Sequence, residues 1–207
     1  MSKLAIIGTA GRGPDAKILA SDPEHYLKRM MDAARKVSEL TNSTELVSGG
    51  ASWADHIAVL LFLEDLTHYT LELELPAPLV ERGDDLQYYD KGTGDFKANP
   101  GAVSNHYHRL FKKAFTKTRT MWSPFKDFRS LEGVSRVKTT VTPGFLPRNL
   151  KVAEKADHVL AMTFGQGKRL KDGGTAHTMS AFLARGVGTA YHLDLNTLKL
   201  YANATVS

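Results

Sequence analysis

Cysteine is absent from the 207 residues. That excludes disulfides, thiolate metal sites and a thiol nucleophile. Long apolar runs are missing too: none approaches the ~20 residues needed to cross a membrane as a helix, so no membrane partner is expected. Met1 to Gly8 is too short and too lightly charged for a signal peptide and reads as a first strand, which makes a cytoplasmic location the expectation. The chain has neither a G-x-x-x-x-G-K-[ST] loop nor an H-E-x-x-H pair, which argues against a P-loop ATPase and a zinc protease. What remains is 42% hydrophobic and 24% charged, enough to bury one core. The expectation is a single domain over residues 1–207 carrying an insertion around 79–142.

The formal net charge is +5, and its distribution says more than its size. Between Arg109 and Lys138 stand Arg109, Lys112, Lys113, Lys117, Arg119, Lys126, Arg129, Arg136 and Lys138, against Asp127 and Glu132 alone. Phe111, Phe115, Trp122, Phe125 and Phe128 interleave with these cations. Aromatics among cations can stack bases and hold phosphates, so segment 109–138 is a candidate nucleic-acid surface. The competing reading, which the pattern favours, is the packed side of an insertion or a contact for a homo-oligomer. His106 and His108 flank Tyr107, but residues two apart do not share a helix face; no metal and no cofactor is expected.

Short apolar runs alternate with helical periodicity. Lys3 to Gly8 (KLAIIG), Glu45 to Ser48, Thr70 to Leu75, His158 to Met162 and Gly188 to His192 read as strands. Helices are predicted from Ser21 through Leu40, Ser52 to Asp65, His106 to Phe115, Pro147 to Lys155 and Thr175 to Ala184. Residues 9–20 and 79–100 read as loops, 116–142 lacks a clear period, and the tail adds an edge strand. Such alternation predicts an α/β fold: a Rossmann-like open parallel sheet with helices on both faces, plus an α-rich or irregular insertion.

In such a sheet, ligands sit outside the carboxyl ends of the strands. Three predicted strand ends are rich in glycine and small polar residues: Gly8-Thr9-Ala10-Gly11-Arg12-Gly13, Ser48-Gly49-Gly50-Ala51-Ser52, and Thr163-Phe164-Gly165 running on to Asp172-Gly173-Gly174-Thr175. Glycine admits close approach of an anion, and a following helix offers free N–H groups and a positive dipole end. Glycine also serves tight turns alone, but three such loops together point to phosphate.

These motifs carry a resemblance. IIGTAGR at 6–12, LVSGGASWAD at 46–55, RNLKVAEKADHVLAM at 148–162 and DGGTAHTM at 172–179 are similar in order and spacing to the SLOG superfamily, the Rossmann-like domains of the DprA and LOG proteins, and most of all to its YspA-like branch. The resemblance implies a nucleotide-type pocket lined by Gly8, Thr9 and Arg12, with Ser48, Gly49 and Gly50 beside them. Gly173, Gly174 and Thr175 would hold phosphate, and Arg148 and Asn149 would lie over the crevice. It further implies cleavage or transfer at an N-glycosidic bond, a sensing role, or single-stranded DNA binding. One departure bears on catalysis. The hydrolases carry P-G-G-x-G-T-x-x-E, whereas here Thr175 is followed by Ala176, His177, Thr178, Met179 and Ser180, with no glutamate. Acid–base work would then fall to Asp55, Asp172 or His177, which flank the glycine turns. The alternative is a non-catalytic protein that senses or sequesters a nucleotide signal.

Overall fold

The computed structural model describes residues 2–93, 95 and 98–206. The elements run β1 (Ser2–Gly8), α1 (Pro14–Ser21), α2 (Pro23–Thr41), β2 (Ser43–Ser48), α3 (His56–Glu64), β3 (Thr70–Leu75), β4 (Leu79–Arg82), β5 (Asp85–Tyr88), α4 (Pro100–Ala114), α5 (Pro124–Ser130), β6 (Val137–Val141), α6 (Phe145–Lys155), β7 (His158–Thr163), α7 (Gly174–Leu183), β8 (Ala190–Asp194) and β9 (Lys199–Ala202). The main sheet has the order β6-β3-β2-β1-β7-β8-β9, parallel throughout except that β9 runs antiparallel to β8. It is a Rossmann-like α/β fold. From β1 the chain builds outward through β2, β3 and β6, then returns to lay β7 on the other side of β1. The strand order therefore reverses between β1 and β7.

Alternation along the central strands divides the core in two. Leu4, Ile6, Leu46, Leu160 and Met162 join α2 and α3 on one face. Ala5, Ile7, Val47, Val159 and Ala161 meet α6 and α7 on the other. Helix α2 follows its signals: Pro23 opens it, the Asp22 carboxylate accepts from the His25 N–H, and Asn42 closes it in the left-handed conformation. Leu27, Met30, Ala34 and Val37 recur at helical spacing and are buried.

Three stretches read as irregular are ordered. Residues 14–21 form α1, started by Pro14 and pinned by the fully buried Leu19. Residues 79–88 form an antiparallel hairpin, turned at Gly83 with φ +62°. Val137–Val141 is a parallel strand outside β3. Its mostly exposed, polar VKTTV sequence carries little apolar signal because it has solvent on one edge. The segment 79–142 thus returns to the main sheet and does not hang from it.

The aromatic side of that segment faces inward. Phe111, Phe115, Phe125 and Phe128 are at most 2% exposed, packed with Trp53, His56 and Trp122. They cannot stack bases without unfolding this layer, and they are spent within the chain as far as self-association is concerned. Several of the basic residues are also engaged: Arg119 makes a two-pronged contact with Glu24, Arg129 pairs with Glu81 and Glu132, and Lys138 pairs with Glu72.

Candidate functional site

Where the strand order reverses, the loops after β1 and β7 diverge and leave a crevice, the position at which open α/β sheets hold ligands. A cleft of about 410 Å³ lies there, floored by Gly8, Thr9 and Thr163, walled by α6, and closed on the third side by Lys171 to Thr175. Helix α6 turns one face to it: Phe145, Arg148, Asn149 and Val152, at spacings of three and four, all line the cleft.

Helix α7 points its N-terminus into this space. Gly173 caps it at φ +125°, a conformation that side chains resist. The first intrahelical return is from His177 N–H to Gly173 O at 3.0 Å. The N–H groups of Gly174, Thr175 and Ala176 therefore have no intrahelical acceptor. The Thr175 hydroxyl donates to Gly8 O at 2.9 Å, and Asn149 Nδ2 donates to Gly174 O at 3.1 Å. These bonds fix the helix tip against β1 and α6 while leaving its amides directed outward.

The second glycine turn has a different use. Asp55 is buried below the cleft, and its carboxylate accepts from Gly8 N–H (3.1 Å), Ala51 N–H (3.4 Å) and Arg148 Nη1 (3.1 Å). Burial pushes the Asp55 carboxyl above its ordinary value, while Arg148 and the two amides pull it back. A side chain on Gly49 would place Cβ 1.4 Å from Arg148 Nη1, so this glycine exists to admit the guanidinium. The Gly50 N–H is taken by Ser48 Oγ at 3.2 Å, and Gly50 O receives the Tyr88 hydroxyl. Ser48, Gly49 and Gly50 build the strut beneath the site and do not line it. The Arg148 Nε, on a guanidinium at the cleft wall, is buried without a partner among the described residues.

Two further cations reach the cleft. Arg12 is exposed; its guanidinium carbon lies 4.9 Å from the ring centre of Tyr107 and 5.4 Å from that of Phe145. Among the described residues no carboxylate pairs with it. Lys171 Nζ bonds Asp15 Oδ1 at 2.6 Å, and the other oxygen of Asp15 accepts from the Thr9 hydroxyl at 2.9 Å. Thr9 Oγ1 in turn accepts the Gly11 N–H at 3.1 Å, which shapes the first loop.

No family model matches the chain. The uncharacterized protein R261 of Acanthamoeba polyphaga mimivirus is 31% identical over 186 residues, which span 85% of this chain and 88% of R261. The chain belongs to the R261 family. Among solved structures, the structural-genomics protein TM1055 aligns over 90% of this chain and 71% of its own, with 14% identity and a TM-score of 0.43, a likeness too slight to argue from.

In this member of the R261 family the cleft brings together Gly8, Thr9, Arg12, Asp55, Arg148, Asn149, Asp172, Gly173, Gly174 and Thr175, all of them anticipated from the strand-end motifs. Asp172 is exposed and accepts the Gly173 N–H on Oδ1. His177 does not line the cleft, and its Nδ1 is buried without a partner among the described residues; on α7 it lies away from the crevice. Asp15, Lys171, Thr163 and Phe145 line the cleft and escaped the sequence reading. Asp15 lies in a segment read as loop, and Lys171 directly before Asp172, so only adjacency to a motif could have flagged them. Among the described residues no group of three or more His, Asp or Glu is arranged to hold a metal ion.

Proposed function

We propose that this protein binds a phosphomonoester of the nucleotide class in the cleft between the ends of β1 and β7. One observation carries the reading. The outward amides of Gly174, Thr175 and Ala176, the guanidinium of Arg12 and the orphaned Nε of Arg148 all belong to groups around one crevice at the strand-order reversal. A helix N-terminus with free N–H groups and a nearby arginine fork is the physical description of a phosphate site. The SLOG resemblance of the four motifs points the same way.

Retention of the ligand is better supported than its cleavage. An acid or base needs a proton-accepting atom free to meet substrate. Asp55 already takes three donors and holds Arg148, and His177 is not at the cleft. Asp172 has one carboxylate oxygen without an intramolecular bond among the described residues and is the remaining candidate for N-glycosidic chemistry. We therefore read the protein as a nucleotide sensor or sequestering protein first and as a hydrolase second. Calorimetry with nucleoside monophosphates, run beside chromatography for released base, separates the two. Binding without base release is the expected result. Release abolished by Asp172→Asn would establish the hydrolase, and no binding by any phosphorylated probe would overturn both.

A further inference from the structure

The phosphate reading leaves the far end of the cleft unexplained. There, three side chains from separate parts of the chain meet: Arg12 from the loop after β1, Phe145 from the first turn of α6, and Tyr107 from α4 in the 79–142 segment. The Arg12 guanidinium lies against both rings, and Arg148 approaches the Phe145 ring as well, at 5.9 Å. Phe145 and Tyr107 are each only half-buried, unlike the sealed aromatics of the neighbouring layer. An aromatic face flanked by planar guanidinium groups and open to a cleft is a surface on which another planar π system can lie.

The spacing fits one molecule. Phe145 and Asn149 are four residues apart on the face of α6 turned to the cleft, about 6 Å along the axis. Asn149 touches Gly174 at the tip of α7, where the phosphate is proposed to sit. From that tip to the Phe145 ring is thus about one helical turn, a gap that a single pentose bridges.

Resting on the phosphate reading, we propose that Phe145, Arg12 and Tyr107 form the seat for the planar base of the nucleotide. The base is gripped by stacking and not by hydrogen bonds to its edge. Every nucleobase has a π face, so stacking tolerates sequence; the site therefore takes purine and pyrimidine nucleotides alike and discriminates against sugar phosphates that lack a ring. Tyr107 makes the 79–142 segment part of the site and not merely a neighbour of it.

Calorimetry on the full chain with AMP, CMP, ribose 5-phosphate and inorganic phosphate tests this. AMP and CMP should bind within a few-fold of each other and about tenfold or more above ribose 5-phosphate. Phe145→Leu should weaken both nucleotides by about 5- to 100-fold and leave ribose 5-phosphate and inorganic phosphate unchanged, while Phe145→Tyr keeps nucleotide affinity. Tyr107→Leu should act in the same direction, which guards against one variant misfolding. Ribose 5-phosphate binding as tightly as AMP would overturn the base seat but leave the phosphate site standing. So would Phe145→Leu weakening all four probes equally, and a hundredfold preference between AMP and CMP would overturn the stacking mode. Failure of all four to bind the unaltered protein would bring down the phosphate reading and the seat together.

Discussion

Two clusters of chemically capable side chains lie side by side in this molecule and behave in opposite ways. At the strand-order reversal, arginines, aspartates and helix amides surround a cleft that solvent enters, and some of their donors are unsatisfied. Behind α3, His56, His108, Tyr88, Trp122 and Asp127 are shut among phenylalanines. His56 Nε2 meets Asp127 Oδ2 at 2.9 Å, Trp122 Nε1 donates to the same oxygen at 2.9 Å, and His108 Nδ1 meets Ser104 O at 2.8 Å. By residue type the second cluster is the richer in catalytic candidates. By access it has none, because His56, His108 and Tyr88 are at most 1% exposed. Residue type nominates a site, and the pairing of donors with solvent access decides it.

The Asp55–Arg148 strut is where the two regions should differ most under substitution. Removing one partner of a buried ion pair costs about 3–5 kcal/mol, since the other charge is left uncompensated. Asp55→Asn and Arg148→Met should each lower stability by that order in urea unfolding. The double variant should cost much less than the sum, because neither charge then remains. A single-variant loss below about 1 kcal/mol would mean that the strut is solvated and the floor of the cleft less rigid than drawn. Arg12 supplies the opposite case. Exposed and free of carboxylates, it should be neutral to stability when changed to alanine. Loss of its charge-assisted bonds, worth about 1.5–3 kcal/mol, should weaken binding of a nucleoside monophosphate about 10- to 100-fold. Unchanged affinity would place the phosphate elsewhere on the tip of α7.

The sealed cluster should respond to pH where the cleft does not. Burial, and then the adjacent His56, hold His108 down at about 3, with the Ser104 carbonyl acting in the other direction. The rings of Tyr88, Phe125 and Phe128 complete its surroundings. Its folded-state value is depressed below the unfolded value of about 6.5. Above that value the stability is fully present. As pH falls below it, the unfolded chain takes a proton that the folded chain refuses, and up to about 1.4 kcal/mol is lost per pH unit. His192, lowered chiefly by burial, adds to the same slope. Glu72, held down at about 2 with Lys155 and Lys138 against it, begins to contribute only below the ordinary carboxylate range. Urea midpoints between pH 7 and pH 5 should therefore fall, and His108→Leu should flatten the fall. An equal slope in the variant would show that His108 meets water.

Much of this arrangement was legible in the chain. The central strands are apolar because both faces are covered, so KLAIIG and HVLAM announce themselves, and the glycine turns after β1 and β7 mark the crevice. What stayed hidden depends on distant partners. Gly49 looks identical to a phosphate-binding glycine in sequence, yet its bare α-carbon makes room for a guanidinium 99 positions later in the chain. Strand β6 is invisible because an edge strand needs little apolar sequence once β3 supplies its hydrogen bonds. Lys171 and Asp15 enter the site only because two loops meet. The basic aromatic stretch was ambiguous for a simpler reason: a one-sided amphipathic segment has the same composition whether its aromatics face inward or outward.

The smallest effect tests that last point. With the aromatics buried, nucleic acid could be held at 109–138 only through exposed cations such as Lys113 and Lys117 and Lys112. Purely electrostatic binding would vanish as salt rises, with a slope set by the number of phosphates neutralised. Changing Lys112, Lys113 and Lys117 together to glutamine should leave folding stability within about 0.5 kcal/mol, as surface substitutions do. Oligonucleotide affinity near physiological salt should already be weak in the unaltered protein. Arg119, by contrast, is held by Glu24, an exposed pair worth about 0–1 kcal/mol, so Arg119→Ala should cost at most that amount and shift no ligand affinity. Tight oligonucleotide binding that persists at high salt would require stacking on aromatic faces. Phe111 and Phe115 would then have to leave the core, and the division between an open cleft and a sealed layer would fail.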